Sequence, residues 1–113
     1  MFRRKKKFAH EIRVKVTGVR RRQGLIEKYV QPGMVLHPRL DPNEGEDAVG
    51  LWLVRGGCLF PKRSYQIGNV PDRLAPLVAS LIRKKERVEI RVEQVLEPTE
   101  EWDMMGVDIV IRH

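Results

Sequence analysis

Ala48-Val49-Gly50-Leu51-Trp52-Leu53-Val54 is the clearest strand in the chain. Val49, Leu51 and Leu53 share one face and Trp52 projects from the other, the two-residue period of a half-buried β-strand. Upstream, His10 to Val19 repeats the pattern. Ile12, Val14 and Val16 face one way, and Glu11, Arg13, Lys15 and Thr17 the other, with Gly18 weakening the end. Between these strands, Leu25, Ile26, Tyr29 and Val30 recur at helical spacing before Pro32-Gly33, which predicts a short helix with Tyr29 on its apolar stripe. Met34, Leu36 and Leu40 begin another strand, which Pro38 confines to a sheet edge or a bulge. Downstream, Gly56-Gly57 predicts a turn, residues 58–64 a hairpin extension, and Tyr65 to Val70 a short strand.

Leu74, Leu77, Val78, Leu81 and Ile82 mark an amphipathic helix starting near Pro76, after a looser turn from Asp72 to Ala75. Val88, Ile90 and Val92 alternate until the phase slips at Val95-Leu96, as at a bulge. A loop from Glu97 to Asp103 leads to a last strand carrying Val107, Ile109 and Ile111. The order is β-α-β-β-β-α-β-β. The expectation is a mainly β fold with two short helices, a small OB-like or SH3-like barrel, with a sheet bearing two packed helices as the other option.

The chain's 113 residues fit one domain, and 42% hydrophobic residues suffice for a core without disulfides or metal. The net charge is +7, but Arg3 to Lys7 supply five of these charges. Residues 8–113 carry 17 basic and 15 acidic side chains, so the body is nearly balanced. The reading is a disordered basic tail at 1–9 and one domain at 10–113. Such a tail gathers phosphates without sequence preference, solubilises a terminus, or serves as a nuclear address in a eukaryote. No apolar run approaches the ~20 residues that span a membrane, and the charged N-terminus lacks a signal peptide's apolar stretch. We expect a soluble intracellular protein, cytoplasmic and nucleoid-associated in a prokaryote or nuclear in a eukaryote.

Catalysis lacks its parts. His10, His37 and His113 are far apart in sequence with no second ligand at metal spacing. Cys58 has neither a neighbouring base nor a partner thiol and reads as structural. Two acidic clusters, Asp41/Glu44/Glu46/Asp47 and Glu97/Glu100/Glu101/Asp103, lack calcium-loop spacing and read as solvated loops. We therefore expect no enzyme, no cofactor and no metal.

Several weak motifs follow one another in a telling order. Thr17-Gly18-Val19 ends a strand, then come a short helix and Gly33, then Asp41-Pro42-Asn43, Asp47-Ala48-Val49, and Gln66-Ile67-Gly68-Asn69-Val70-Pro71 with Leu74-Ala75. Over residues 10–112 this resembles the HIRAN domain. The resemblance implies an OB-like barrel that binds single-stranded DNA, in the best-known members at a free 3′ end, beside helicase-like motors. It also implies a module acting in DNA repair or processing, with a helicase or nuclease as partner. By position it assigns DNA contacts to Lys15, Thr17, Asp47 and Asn69, while Glu44-Gly45-Glu46 replaces the family's Pro-Tyr-Asp. From the residues themselves, Arg13, Lys15 and Arg20 lie on or beside the first strand's polar face. Lys62, Arg63 and Tyr65 come from the hairpin leading to Asn69, and Trp52 is an exposed candidate for base stacking. This reading requires Lys15, Arg63 and Asn69 to meet beside one cationic groove. The alternative is a protein-interaction module of a DNA-processing complex, with Trp52 and Trp102 marking the partner surface.

Overall fold

Residues 8–113 are described by a computed structural model. Six strands, β1 (Glu11–Lys15), β2 (Val35–Leu40), β3 (Val49–Gly57), β4 (Phe60–Asn69), β5 (Glu89–Leu96) and β6 (Gly106–Arg112), form one antiparallel sheet. Their spatial order is β1-β6-β5-β2-β3-β4. A short 3-10 turn (Arg20–Arg22) leads directly into α1 (Gln23–Tyr29), and α2 (Ala75–Arg83) joins β4 to β5. This is the mainly β architecture and element order that the alternation predicts.

The sheet curls until its two ends touch. Beyond β1, Thr17 bridges Asn69 at the end of β4 through reciprocal backbone hydrogen bonds of 2.9 and 2.8 Å. Gly68 makes this approach possible. A Cβ there would overlap Val16 Cγ1 and the Thr17 carbonyl. Inside lie Val14, Val16, Leu36, Val49, Leu51, Leu53, Ile67, Ile90, Val92, Val107, Ile109 and Ile111, with Ile26 of α1 and Val78 of α2. Burying one such branched side chain contributes roughly 1.5–3 kcal/mol, which offsets the entropy of ordering the strands.

β2 is not an edge strand. It pairs with β5 through Val35 and Leu36, then with β3 from His37 to Leu40. Asp41 N–H donates to Ala48 O, so the odd-numbered residues of this stretch face β3. The N–H that Pro38 lacks falls on the other side, past the end of the β5 pairing. The phase slip in β5 lies between Val92 and Gln94, slightly earlier than Val95-Leu96. α2 packs against β2 and β3 and ends in a Schellman turn. Glu86 N–H donates to Leu81 O and Lys85 N–H to Ile82 O, with Lys85 held at φ +54°.

The β3–β4 hairpin is longer than the glycines suggest. β3 continues through Gly57, and the turn falls on Cys58 and Leu59. Gly56, at φ +93°, marks a register irregularity instead, where a Cβ would overlap the Pro61 carbonyl. Cys58 is therefore an exposed thiol at the hairpin tip and holds nothing in the core. The basic run Arg3–Lys7 lies outside the described residues. Phe8, the first described residue, has the Arg87 guanidinium over its ring at 4.2 Å. Among the described residues no helix is long and apolar enough to cross a membrane.

Candidate nucleic-acid interface

The site starts where the core face of the hairpin changes character. Across β3 and β4, Leu53 stands opposite Tyr65, and one step further out Arg55 stands opposite Arg63. Cross-strand partners share a face, so both arginines continue the face that carries Leu51 and Leu53 inside the barrel. Two like charges directly opposed in a hairpin destabilise it. No carboxylate lies within ion-pair distance of either arginine among the described residues. From Ala48 to Pro71 the sequence contains no Asp or Glu at all.

α1 supplies the other wall. The Tyr29 ring stacks on Tyr65 with centroids 5.3 Å apart, and the Arg55 guanidinium lies 4.2 Å from the Tyr29 ring centre. Tyr29, Arg55, Phe60, Pro61, Arg63 and Tyr65 line an open cleft of about 420 Å³. The cations set its potential. The Lys28 ammonium first, then the Tyr65 hydroxyl and Arg55, hold the Tyr29 phenol below its ordinary range, against the opposing effect of desolvation. Behind the cleft, Arg22 of the 3-10 turn donates to Gln66 O at 3.1 Å, tying Arg20-Arg21-Arg22 to β4.

The residues predicted from sequence fall into separate groups. Lys62, Arg63 and Tyr65 belong to the hairpin, and Arg63 and Tyr65 line the cleft. Thr17 and Asn69 meet at the seam, where Thr17 Oγ1 also donates to Asn69 O at 3.2 Å. Lys15 and Arg20 share an apolar pocket with Trp102. Arg13 is occupied by Glu11 and Glu93, each at 2.9 Å. Asp47 pairs with Arg83 at 2.7 Å. Trp52 is half-buried, with the Arg39 guanidinium 4.9 Å over its ring.

Lys15, Arg63 and Asn69 share no depression: Arg63 lines the cleft, Asn69 a second, and Lys15 two others, one with Arg13 and one with Trp102. Their separation follows from the antiparallel seam at Thr17 and Asn69. Arg63 lies six residues along β4 on one side of the bridge, and Lys15 two residues along β1 on the other. At about 3.3 Å per residue they are some 26 Å apart along the strands. Carboxylates also crowd two of these places. The pocket around Asn69 includes Glu44 and Asp72, and the one that Lys15 shares with Arg13 includes Glu93 and Asp108. Phosphate is disfavoured at both.

Arg55, Phe60 and Pro61 are cleft residues that the sequence reading passed over, and Tyr29 is one it assigned to the core. Tyr29 is half-buried against the core as its helical stripe predicts, yet its ring also faces the cleft. Arg55 was legible, because it keeps the phase of Val49, Leu51 and Leu53 while breaking their chemistry. His10 and His113, distant in sequence, stack with centroids 4.7 Å apart because β1 pairs with β6 end to end. Among the described residues no three His, Cys, Asp or Glu side chains gather as a metal site. Compared with protein-family models, curated proteins and solved structures, the chain matches none.

Proposed function

We propose that the protein is a nucleic-acid-binding module without catalytic chemistry, which grips single-stranded nucleic acid in the cleft between α1 and the β3–β4 hairpin. The observation that carries this reading is Arg55 opposite Arg63, unpaired, beside the stacked Tyr29 and Tyr65. A cationic groove that follows phosphates, combined with rings that stack bases, is how sequence-tolerant single-strand binders work. Arg21, exposed on the adjoining turn, and Lys62 on the hairpin extend the positive surface along a strand's path.

Within this reading the strand is held by its backbone and internal bases. A pocket for the 3′ terminus would centre on Asn69, by the HIRAN resemblance, and there Glu44 and Asp72 oppose the phosphate. The resemblance adds a setting, DNA repair or processing beside a helicase or nuclease, to a binding mode argued from the cleft.

The test is a titration of labelled oligo-dT by fluorescence anisotropy, with free and blocked 3′ ends and with duplex controls. Binding should be insensitive to the 3′ block, stronger for single strands, and steeply weakened by salt. No binding at about 50 mM salt would end the proposal.

A further inference from the structure

The loop between β5 and β6 presents a tryptophan in a fixed place. Trp102 keeps 58% of its surface exposed. Its backbone is nonetheless pinned, since Thr99 N–H donates to Trp102 O at 2.7 Å and Trp102 N–H donates to Thr99 Oγ1 at 3.0 Å. The next residues are clamped to the start of α1. Gln23 Nε2 donates to Val19 O and to Met105 O, both at 3.0 Å, and its Oε1 accepts from Met105 N–H at 2.7 Å. These bonds hold Trp102 and Met104 as one wall of an apolar pocket whose other wall runs from Lys15 to Arg20.

Charges of opposite sign flank this pocket. Lys15 and Arg20 stand on one wall, and Glu100, Glu101 and Asp103 adjoin Trp102 on the other. None of the five forms an ion pair among the described residues. The patch thus offers an apolar knob with acidic flanks beside an apolar hole with basic flanks. Such a surface is its own complement under a two-fold rotation, where knob meets hole twice.

We propose that the occupant of the pocket is a second copy of this chain, with each Trp102 seated in the other's pocket and the acidic loop of each against Arg20 and Lys15 of the other. A buried aromatic side chain covers roughly 150–250 Å². Only the 58% of Trp102 that is still exposed remains to be covered, so two of them and the pockets that receive them account for about 350–600 Å² in total, well below the ~1,200 Å² of standard stable interfaces. The dimer is therefore weak and forms by mass action.

Sedimentation velocity of the full chain without nucleic acid, over a concentration series from about 10 to 500 µM, tests this. The wild type should shift from monomer towards dimer, and Trp102→Ala should remain monomeric throughout. Arg20→Glu should also abolish the shift, and adding Glu101→Arg in the same chain should restore it. A wild type that stays monomeric, a dimer indifferent to Trp102→Ala, or a charge swap without rescue would each overturn the proposal. Circular dichroism of each variant confirms that the barrel is intact.

Discussion

Arg63→Glu should make the protein more stable and worse at binding, a pairing of signs that a purely structural arginine cannot produce. In the folded chain Arg63 lies directly across from Arg55. Replacing it converts a like-charge pair into an opposite-charge pair, and each half of that change is worth about 0.2–1 kcal/mol. Both side chains are exposed, which keeps the sum near the lower part of the range, about 0.5–1 kcal/mol. For a domain of this size that raises Tm by roughly 2–6 °C. Binding moves the other way. One lost phosphate contact lowers the salt slope by about 0.7 on a single strand, and the new carboxylate repels the phosphate that remains. Affinity for oligo-dT should fall at least about tenfold, or 1.4 kcal/mol. Differential scanning fluorimetry and anisotropy on the same preparation read both quantities. Unchanged affinity, or a fall in Tm together with affinity, would refute the assignment of Arg63 to a ligand.

Tyr65→Ala should weaken oligonucleotide binding by about 1–3 kcal/mol per base it stacks, with little change in salt slope, measured by the same anisotropy titration. Bound oligo-dT should raise the depressed pKa of the Tyr29 phenol, because phosphate neutralises Lys28 and Arg55; tyrosinate absorbance against pH, with and without ligand, shows the direction. Glu89 is held below the ordinary carboxylate range by Arg91 first and Arg112 second, against desolvation. Its contribution is therefore complete above the ordinary carboxylate pKa and lost as pH falls through the depressed value, so Glu89→Gln should flatten the acid limb of urea stability from the ordinary carboxylate range downwards. Lys85→Gly should raise stability by about 0.5–1 kcal/mol in urea titrations, since a lysine at φ +54° bears a left-handed strain that glycine does not.

The strands were legible because burial enforces their period. Val49, Leu51 and Leu53, or Val107, Ile109 and Ile111, have one face inside, and the alternation records it. Three features were hidden for identifiable reasons. Pro38 reads as an edge because sequence cannot show that β2 changes partners at that point. Gly56-Gly57 reads as a turn because a glycine at positive φ serves a strand irregularity as well as a reversal. The expected meeting of Lys15 and Arg63 in one groove does not occur, because the distance between them depends on the seam's register. Only the tertiary pairing of Thr17 with Asn69 sets that register. Charge counting found the cations but not which of them were already taken, as Arg13 is by Glu11 and Glu93.

That seam also gives a structural role to two of the motifs on which the resemblance to the HIRAN domain rests. Thr17-Gly18 and Gly68-Asn69 are the residues at which the sheet's first and last strands meet. Gly18 takes φ +70° beside the Asn69 side chain, and Gly68 lets Val16 and Thr17 approach its backbone. These positions are dictated by closing the barrel, whatever the barrel then binds. A likeness carried by them is a likeness of fold, and it transfers no ligand by itself. Gly68→Ala separates the two levels. The added methyl should force Thr17 away from Asn69 and cost about 1–3 kcal/mol in urea titrations, as overpacking a close contact does. Yet the cleft some six residues up β4 should keep its affinity for oligo-dT at temperatures where the variant is folded. If affinity instead falls in proportion to the loss of the seam, then the pocket around Asn69 takes part in binding, and the cleft at Arg55 and Arg63 is not the whole site.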